Sequence, residues 1–179
     1  MGRAVLLTGQ PRVGKTTIIK QIVTALDDAC GGFYTEEIRE RGQRVGFKLV
    51  TTSGREGTLA HIRLEDAPHV GKYGVNLRDL QAVGVTAIRQ AIASKKVVVI
   101  DEIGKMEMLS DSFRDAVMEA LASDRDIVGT IMLYSHPWSD AIKNNPQVTV
   151  IEVCGANRDT LADQVLELLK RGPVQEDNR

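Results

Sequence analysis

The sequence predicts an α/β fold on a mostly parallel sheet, and three observations carry that expectation. Short β-branched runs alternate with amphipathic helical windows along most of the 179 residues. A glycine-rich loop, residues 9–16, joins the first such run directly to the first helical window. Three extended segments between about residues 32 and 63 break the alternation and read as an antiparallel meander extending the sheet.

Each element has its own signal. Residues 3–8 form a buried strand, and Ile18, Ile19, Ile22, Val23 and Leu26 then recur at helical spacing. Turns at Gly42-Gln43 and Ser53-Gly54 separate the extended segments 33–39, 45–50 and 57–63. Asn76 caps a helix whose inward face is Leu80, Val83, Ala87, Ile88 and Ala91. Residues 96–100 are a strand, apolar from Val97 to Ile100, followed by a helix from about Ser112 that carries Phe113, Val117, Ala120 and Leu121. A strand at 127–133, a short helix at 139–144 and a strand at 148–153 come next. Asn157 is expected to cap the last helix, with Leu161, Val165, Leu168 and Leu169 inward and Gly172-Pro173 ending it. One domain over residues 1–171 is expected, with a disordered polar tail at 172–179.

Within this frame, Gly9-Gln10-Pro11-Arg12-Val13-Gly14-Lys15-Thr16 has the spacing of a phosphate-binding loop between a strand and a helix. A loop of that length turns backbone N–H groups inward, and the helix dipole adds positive potential. Gly14 keeps side-chain bulk away from the phosphate, and Lys15 reaches the β- and γ-phosphates. The Thr16 hydroxyl is a Mg²⁺ ligand, and Thr17 reaches the α-phosphate. Arg12 is a candidate γ-phosphate contact, with a solvated loop arginine as the plainer reading.

Asp101 and Glu102 end an apolar strand, where ligands of open α/β sheets gather. Asp101 is the second Mg²⁺ ligand, directly or through water, and Glu102 is the group to polarise an attacking water. Strand alternation would aim Glu102 at the opposite face from Asp101, and that reading stays open. Gly104, Lys105 and Glu107 follow in a segment that could close over the site, although a surface ion pair explains Lys105 and Glu107. Tyr134, Ser135 and His136 follow one later strand. Asn157 and Arg158 follow another and are candidates to lie against a nucleobase.

Composition excludes other classes. The 23 Lys+Arg against 24 Asp+Glu are too balanced for a protein that grips nucleic acid by charge. Three Phe, three Tyr and one Trp make few base-stacking platforms. No apolar run is long enough for a membrane span and no targeting segment is read, so the expected place is the cytoplasm. Cys30 and Cys154 lack disulfide or zinc spacing and are expected to be buried free thiols.

With these residues in hand, the sequence resembles a small P-loop nucleoside-triphosphatase family. Its human member is the cancer-related nucleoside-triphosphatase, and it has relatives in thermophilic bacteria and archaea. Besides the loop, the resemblance rests on the blocks at residues 31–39, 45–47, 71–76 and 99–107, the last reading Val99-Ile100-Asp101-Glu102-Ile103-Gly104-Lys105-Met106-Glu107. It implies a three-layer P-loop sandwich whose sheet is extended by antiparallel strands. It also implies Mg²⁺-dependent hydrolysis of nucleoside triphosphates (ATP, GTP, CTP and UTP) to diphosphate and phosphate. Lys15, Thr16, Asp101 and Glu102 fall on the family's nucleotide-site positions, and the motif draws in Glu37 and Arg39. Gln10 and Arg12 depart from the Gly-Pro-Pro-Gly-Val-Gly-Lys common among relatives. Two alternatives stay open: a small-molecule or nucleoside kinase on the same loop, which would need an acceptor pocket, and a nucleotide-gated switch.

Overall fold

The computed structural model describes residues 2–170; the tail expected at 172–179 lies outside them. The described strands form one sheet in the order β5-β6-β4-β3-β2-β7-β8-β1-β9. They are β1 (Ala4–Thr8), β2 (Cys30–Glu40), β3 (Gln43–Thr51), β4 (Glu56–His61), β5 (His69–Val70), β6 (Tyr73–Val75), β7 (Val97–Ile103), β8 (Asp126–Ile131) and β9 (Val148–Glu152). From β2 to β9 every pairing is parallel. From β2 outward through β3, β4, β6 and β5 every pairing is antiparallel. The antiparallel extension therefore runs past residue 63, to Val75, because two very short strands add themselves to its edge.

Side-chain alternation along the parallel strands builds two cores. Ala4 and Leu6 of β1 face one way with Val98 and Ile100 of β7, packing against Leu80, Ile88, Phe113 and Val117. Val5 and Leu7 face the other way with Val97 and Val99, against Ile18, Ile19, Leu161 and Val165. The first set of helices is α2 (Leu77–Asp79), a π-helical turn (Leu80–Val85), α3 (Thr86–Ser94) and α4 (Asp111–Ala122). The α5 helix (Pro137–Lys143) sends Ile142 into the same core. The second set is α1 (Lys15–Leu26) and α6 (Leu161–Lys170). The result is three layers, α/β/α, as the resemblance implied.

Caps explain several boundaries. Asn76 accepts from the Asp79 N–H at 3.0 Å, as expected, and Ser110 accepts from the Phe113 N–H at 3.1 Å to start α4 one residue before Ser112. Asn157 does not cap the last helix, which begins only at Leu161. Its amide instead accepts from Cys154 N–H and donates to the Glu152 carbonyl, both at 2.9 Å, pinning the turn that leaves β9. Cys30 is buried as expected, whereas Cys154 is exposed on that turn.

Candidate active site

The loop after β1 delivers α1 with its positive end open. Gly14 occupies the N-cap position in a left-handed conformation, φ 110°, which glycine adopts without strain. No side chain caps the helix and no acidic residue sits in its first turn, an arrangement that leaves the positive end of the helix suited to an anion. Lys15 Nζ folds back over the loop, donating to the Gly9 carbonyl at 2.8 Å and the Gln10 carbonyl at 3.1 Å. Those are weak partners that a phosphate oxygen can replace.

Strand register brings the acidic pair to this loop. β7 pairs with β8 at Ile100↔Gly129 and again at Ile103↔Ile131, so Asp101 and Glu102 together oppose the single residue Thr130. That extra residue is a bulge, and a bulge re-aims side chains that strict alternation would send to opposite faces. Asp101 and Glu102 accordingly line the same cavity as Gly9, Gly14, Lys15 and Thr16. The opposite-face reading of Glu102 is corrected by this bulge, for which the sequence carries no marker.

Asp101 is 1% exposed and tied on three sides. Thr16 Oγ1 donates to its Oδ2 at 2.9 Å, Thr130 Oγ1 to its Oδ1 at 2.5 Å, and the Thr35 N–H to Oδ2 at 3.4 Å. Burial pushes the Asp101 carboxyl up, against the pull of these hydrogen bonds. Glu102 is also raised, first by burial and then by the neighbouring Asp101 charge.

Glu107 is not half of a surface ion pair. It is 4% exposed, and the groups acting most strongly on it include no cation; burial, then Glu102, holds its carboxyl well above the ordinary glutamate range. Lys105 instead lies exposed over the Tyr134 ring, 5.4 Å from its centroid. A Cβ on Gly104 would stand 2.5 Å from Glu102 Oε1 and 3.0 Å from Glu107 Oε2. Gly104 thus leaves room for two crowded carboxyl groups and is not itself among the cavity walls.

A carboxyl raised above its unfolded value binds its proton more tightly when folded. Its contribution to stability is full below the unfolded pKa and is lost as pH rises through the folded one. Replacing Glu107 with Gln is therefore expected to raise stability at pH 8 by on the order of 1 kcal/mol, with a higher melting temperature, and to make the decline of stability from pH 5 to pH 8 shallower. Thermal unfolding in chelator across that range checks this; a variant less stable than wild type at pH 8 with an unchanged slope refutes it.

The donor set fits Mg²⁺. Thr16 Oγ1 and the Asp101 carboxylate are hard oxygen donors in contact with each other, beside two further carboxyl groups whose acidity burial and neighbouring carboxylates weaken. Among the described residues there is no cluster of three His, Cys, Asp or Glu that could form an all-protein metal cage. That suits an ion that takes most of its ligands from phosphate and water.

Other expected residues scatter. Pro11, Arg12 and Thr17 line the cavity, while Gln10, Val13, Asn157 and Arg158 do not. Arg158 is exposed beside Asp159, on the β9 side of the loop. His136 accepts from the Trp138 N–H and starts α5, a capping role. Glu37 and Arg39 do line the cavity, paired to each other, with Arg44 also on Glu37 at 3.0 Å. Reasoning from sequence missed Thr130 and Thr35. Thr130 had one visible signal, a lone hydroxyl inside an otherwise apolar strand.

Comparison with known proteins gives the family and the fold. Residues 4–166 match the family described as NTPase. The nucleoside-triphosphatase THEP1 of Thermotoga sp. (strain RQ2) is 47% identical over 173 residues, 96% of this chain and 99% of that protein. The crystal structure of THEP1 from the hyperthermophile Aquifex aeolicus superposes with a TM-score of 0.87 at 35% identity, covering 94% of this chain and 99% of that one. The solution structure of a human cancer-related nucleoside triphosphatase superposes with a TM-score of 0.82 at 36% identity, covering 96% and 100%.

Proposed function

The chain belongs to the NTPase family, and on that premise we propose that it is a nucleoside-triphosphatase that hydrolyses nucleoside triphosphates with Mg²⁺ and little regard for the base. The observation that carries this reading is the bulge that puts Asp101 and Glu102 beside Thr16 and Lys15 in one cavity. The first-turn N–H groups of α1 and Lys15 hold the β- and γ-phosphates, with Lys15 exchanging its loop carbonyls for phosphate oxygens. Thr16 and Asp101 would hold Mg²⁺, which when bound neutralises charge on the phosphates. Glu102 accepts a hydrogen bond from water and orients it toward the γ-phosphorus; burial and the Asp101 charge raise its carboxyl, and the Lys15 charge offsets part of that rise.

Weak base selectivity follows from what surrounds the loop. Of the residues at its β9 side, Asn157 is hydrogen-bonded into the turn, and neither it nor the exposed Arg158 lines the cavity. No aromatic ring stands there in the cavity wall: Phe47 and Tyr134 belong to its other side, against β3 and the end of β8. A cytoplasmic setting goes with the two free thiols, and no described helix is long and apolar enough to cross a membrane. Phosphate release from ATP, GTP, CTP and UTP tests the reading. Rates within about fivefold of each other are expected, since no base-directed hydrogen bond separates them, and loss of activity in chelator. One base favoured a hundredfold, or full turnover without divalent metal, would refute it.

A further inference from the structure

The cavity, about 740 Å³, is lined not only by the phosphate loop and the acidic pair but also by Phe47, Leu59 and Val70 of the antiparallel strands. Sheet order sets the direction. Starting from the phosphate loop after β1, the strands run β8, β7, β2, β3, β4, so the acidic pair of β7 comes first. Phe47 of β3 and Leu59 of β4 follow, two and three strands past β7, or roughly 10 and 14 Å at ordinary strand spacing. Val70 of β5 stands farther still. Met106 and Met132 add apolar lining from the segments after β7 and β8. These are apolar walls, and water needs none of them.

The position matters for chemistry. The loop holds the diphosphate that will leave, and Asp101 and Glu102 stand at the reacting γ-phosphorus. In-line displacement brings the nucleophile from the side opposite the leaving group. That side is the apolar extension. Its rim carries the Arg44 guanidinium, stacked 5.0 Å from the Phe47 ring centroid and 5.9 Å from that of Tyr73, and hydrogen-bonded to Glu37. A flat ring with polar edges can lie against this wall and exchange hydrogen bonds with the Arg44–Glu37 pair.

Building on the nucleoside-triphosphatase reading, we propose that this extension is an acceptor site for an uncharged, hydroxyl-bearing aromatic molecule of nucleoside size, to which the γ-phosphoryl group is transferred in competition with water. The acceptor hydroxyl oxygen forms the new bond to the γ-phosphorus as the bond from that phosphorus to the β-phosphate oxygen breaks. The electron pair leaves with the diphosphate, and the hydroxyl proton passes to Glu102.

The test is ATP labelled on its γ-phosphate, incubated with the protein and Mg²⁺, alone and with thymidine, adenosine, cytidine, guanosine or uridine. Labelled inorganic phosphate is separated from labelled nucleoside monophosphate. With at least one nucleoside, the ester is expected to accumulate while inorganic phosphate falls correspondingly. Val70→Trp, which fills the far end from a half-buried sheet-edge position, is expected to lower ester formation at least tenfold while phosphate release from ATP alone stays within twofold. Binding of the same nucleoside by calorimetry should weaken in step. Label that appears only as inorganic phosphate with all five nucleosides overturns the acceptor site and leaves the hydrolase reading standing. Ester formation undiminished in Val70→Trp, in a variant with wild-type melting temperature, overturns the placement. Absence of any phosphate release from ATP alone refutes the hydrolase reading together with the inference built on it.

Discussion

Glu102→Gln is expected to slow nucleotide hydrolysis by about a hundredfold while leaving nucleotide affinity close to that of the unaltered protein. The phosphates are gripped by α1 and Lys15, and the metal position by Thr16 and Asp101; Glu102 takes part in neither. Its carboxylate contributes a negatively charged acceptor, placed where water meets the γ-phosphorus. Gln keeps the shape but cannot draw a proton from water, so the loss falls on kcat and not on binding. Single-turnover hydrolysis beside equilibrium binding of a non-hydrolysable triphosphate separates the two. Hydrolysis within threefold of normal would remove Glu102 from the mechanism, and a matching loss of affinity would make it a binding group.

That Glu102 could be singled out from sequence, but not aimed, illustrates what a chain of residue types conveys. The loop was legible because its chemistry is local: two glycines, a lysine and a threonine act within eight consecutive residues. The parallel core was legible because fully buried strands read as unbroken β-branched runs, as at Val97 to Ile100. The short strands β5 and β6 were not, because two or three residues carry no period. The orientation of Glu102 depends on one extra residue in β7 opposite Thr130, a property of pairing between segments about thirty positions apart. Glu107 was misjudged for a related reason. A glutamate following a lysine by two positions reads as solvated, and only the close packing around Gly104 shows that its carboxyl is enclosed. Asn157 looked like a cap because it is a capping residue near a helix; the helix begins four residues later, and the amide closes a different turn.

Gly32→Ala is expected to destabilise the protein by about 3 kcal/mol or more, lowering its melting temperature by about 6–12 °C, and to take hydrolysis down with it. Gly32 sits where β2 changes from a parallel partner of β7 to an antiparallel partner of β3, with φ +124°. A Cβ there would stand 2.0 Å from the Val99 carbonyl oxygen, which is backbone and cannot swing aside. β2 must then part from β7 at the level of Gly32↔Val99, one pairing short of Phe33↔Ile100. Just beyond lie Thr35 and Asp101, whose 3.4 Å contact helps hold the carboxylate that faces Thr16. Gly42 supplies the control. It too has positive φ, +79°, but a Cβ there meets nothing within 4 Å. Gly42→Ala should cost only the conformational strain, about 1 kcal/mol, and spare turnover. Thermal unfolding and phosphate release measured on both variants separate the steric effect from the conformational one. Equal melting temperatures for the two would show that close approach of β2 to β7 at Gly32 does not hold the site together.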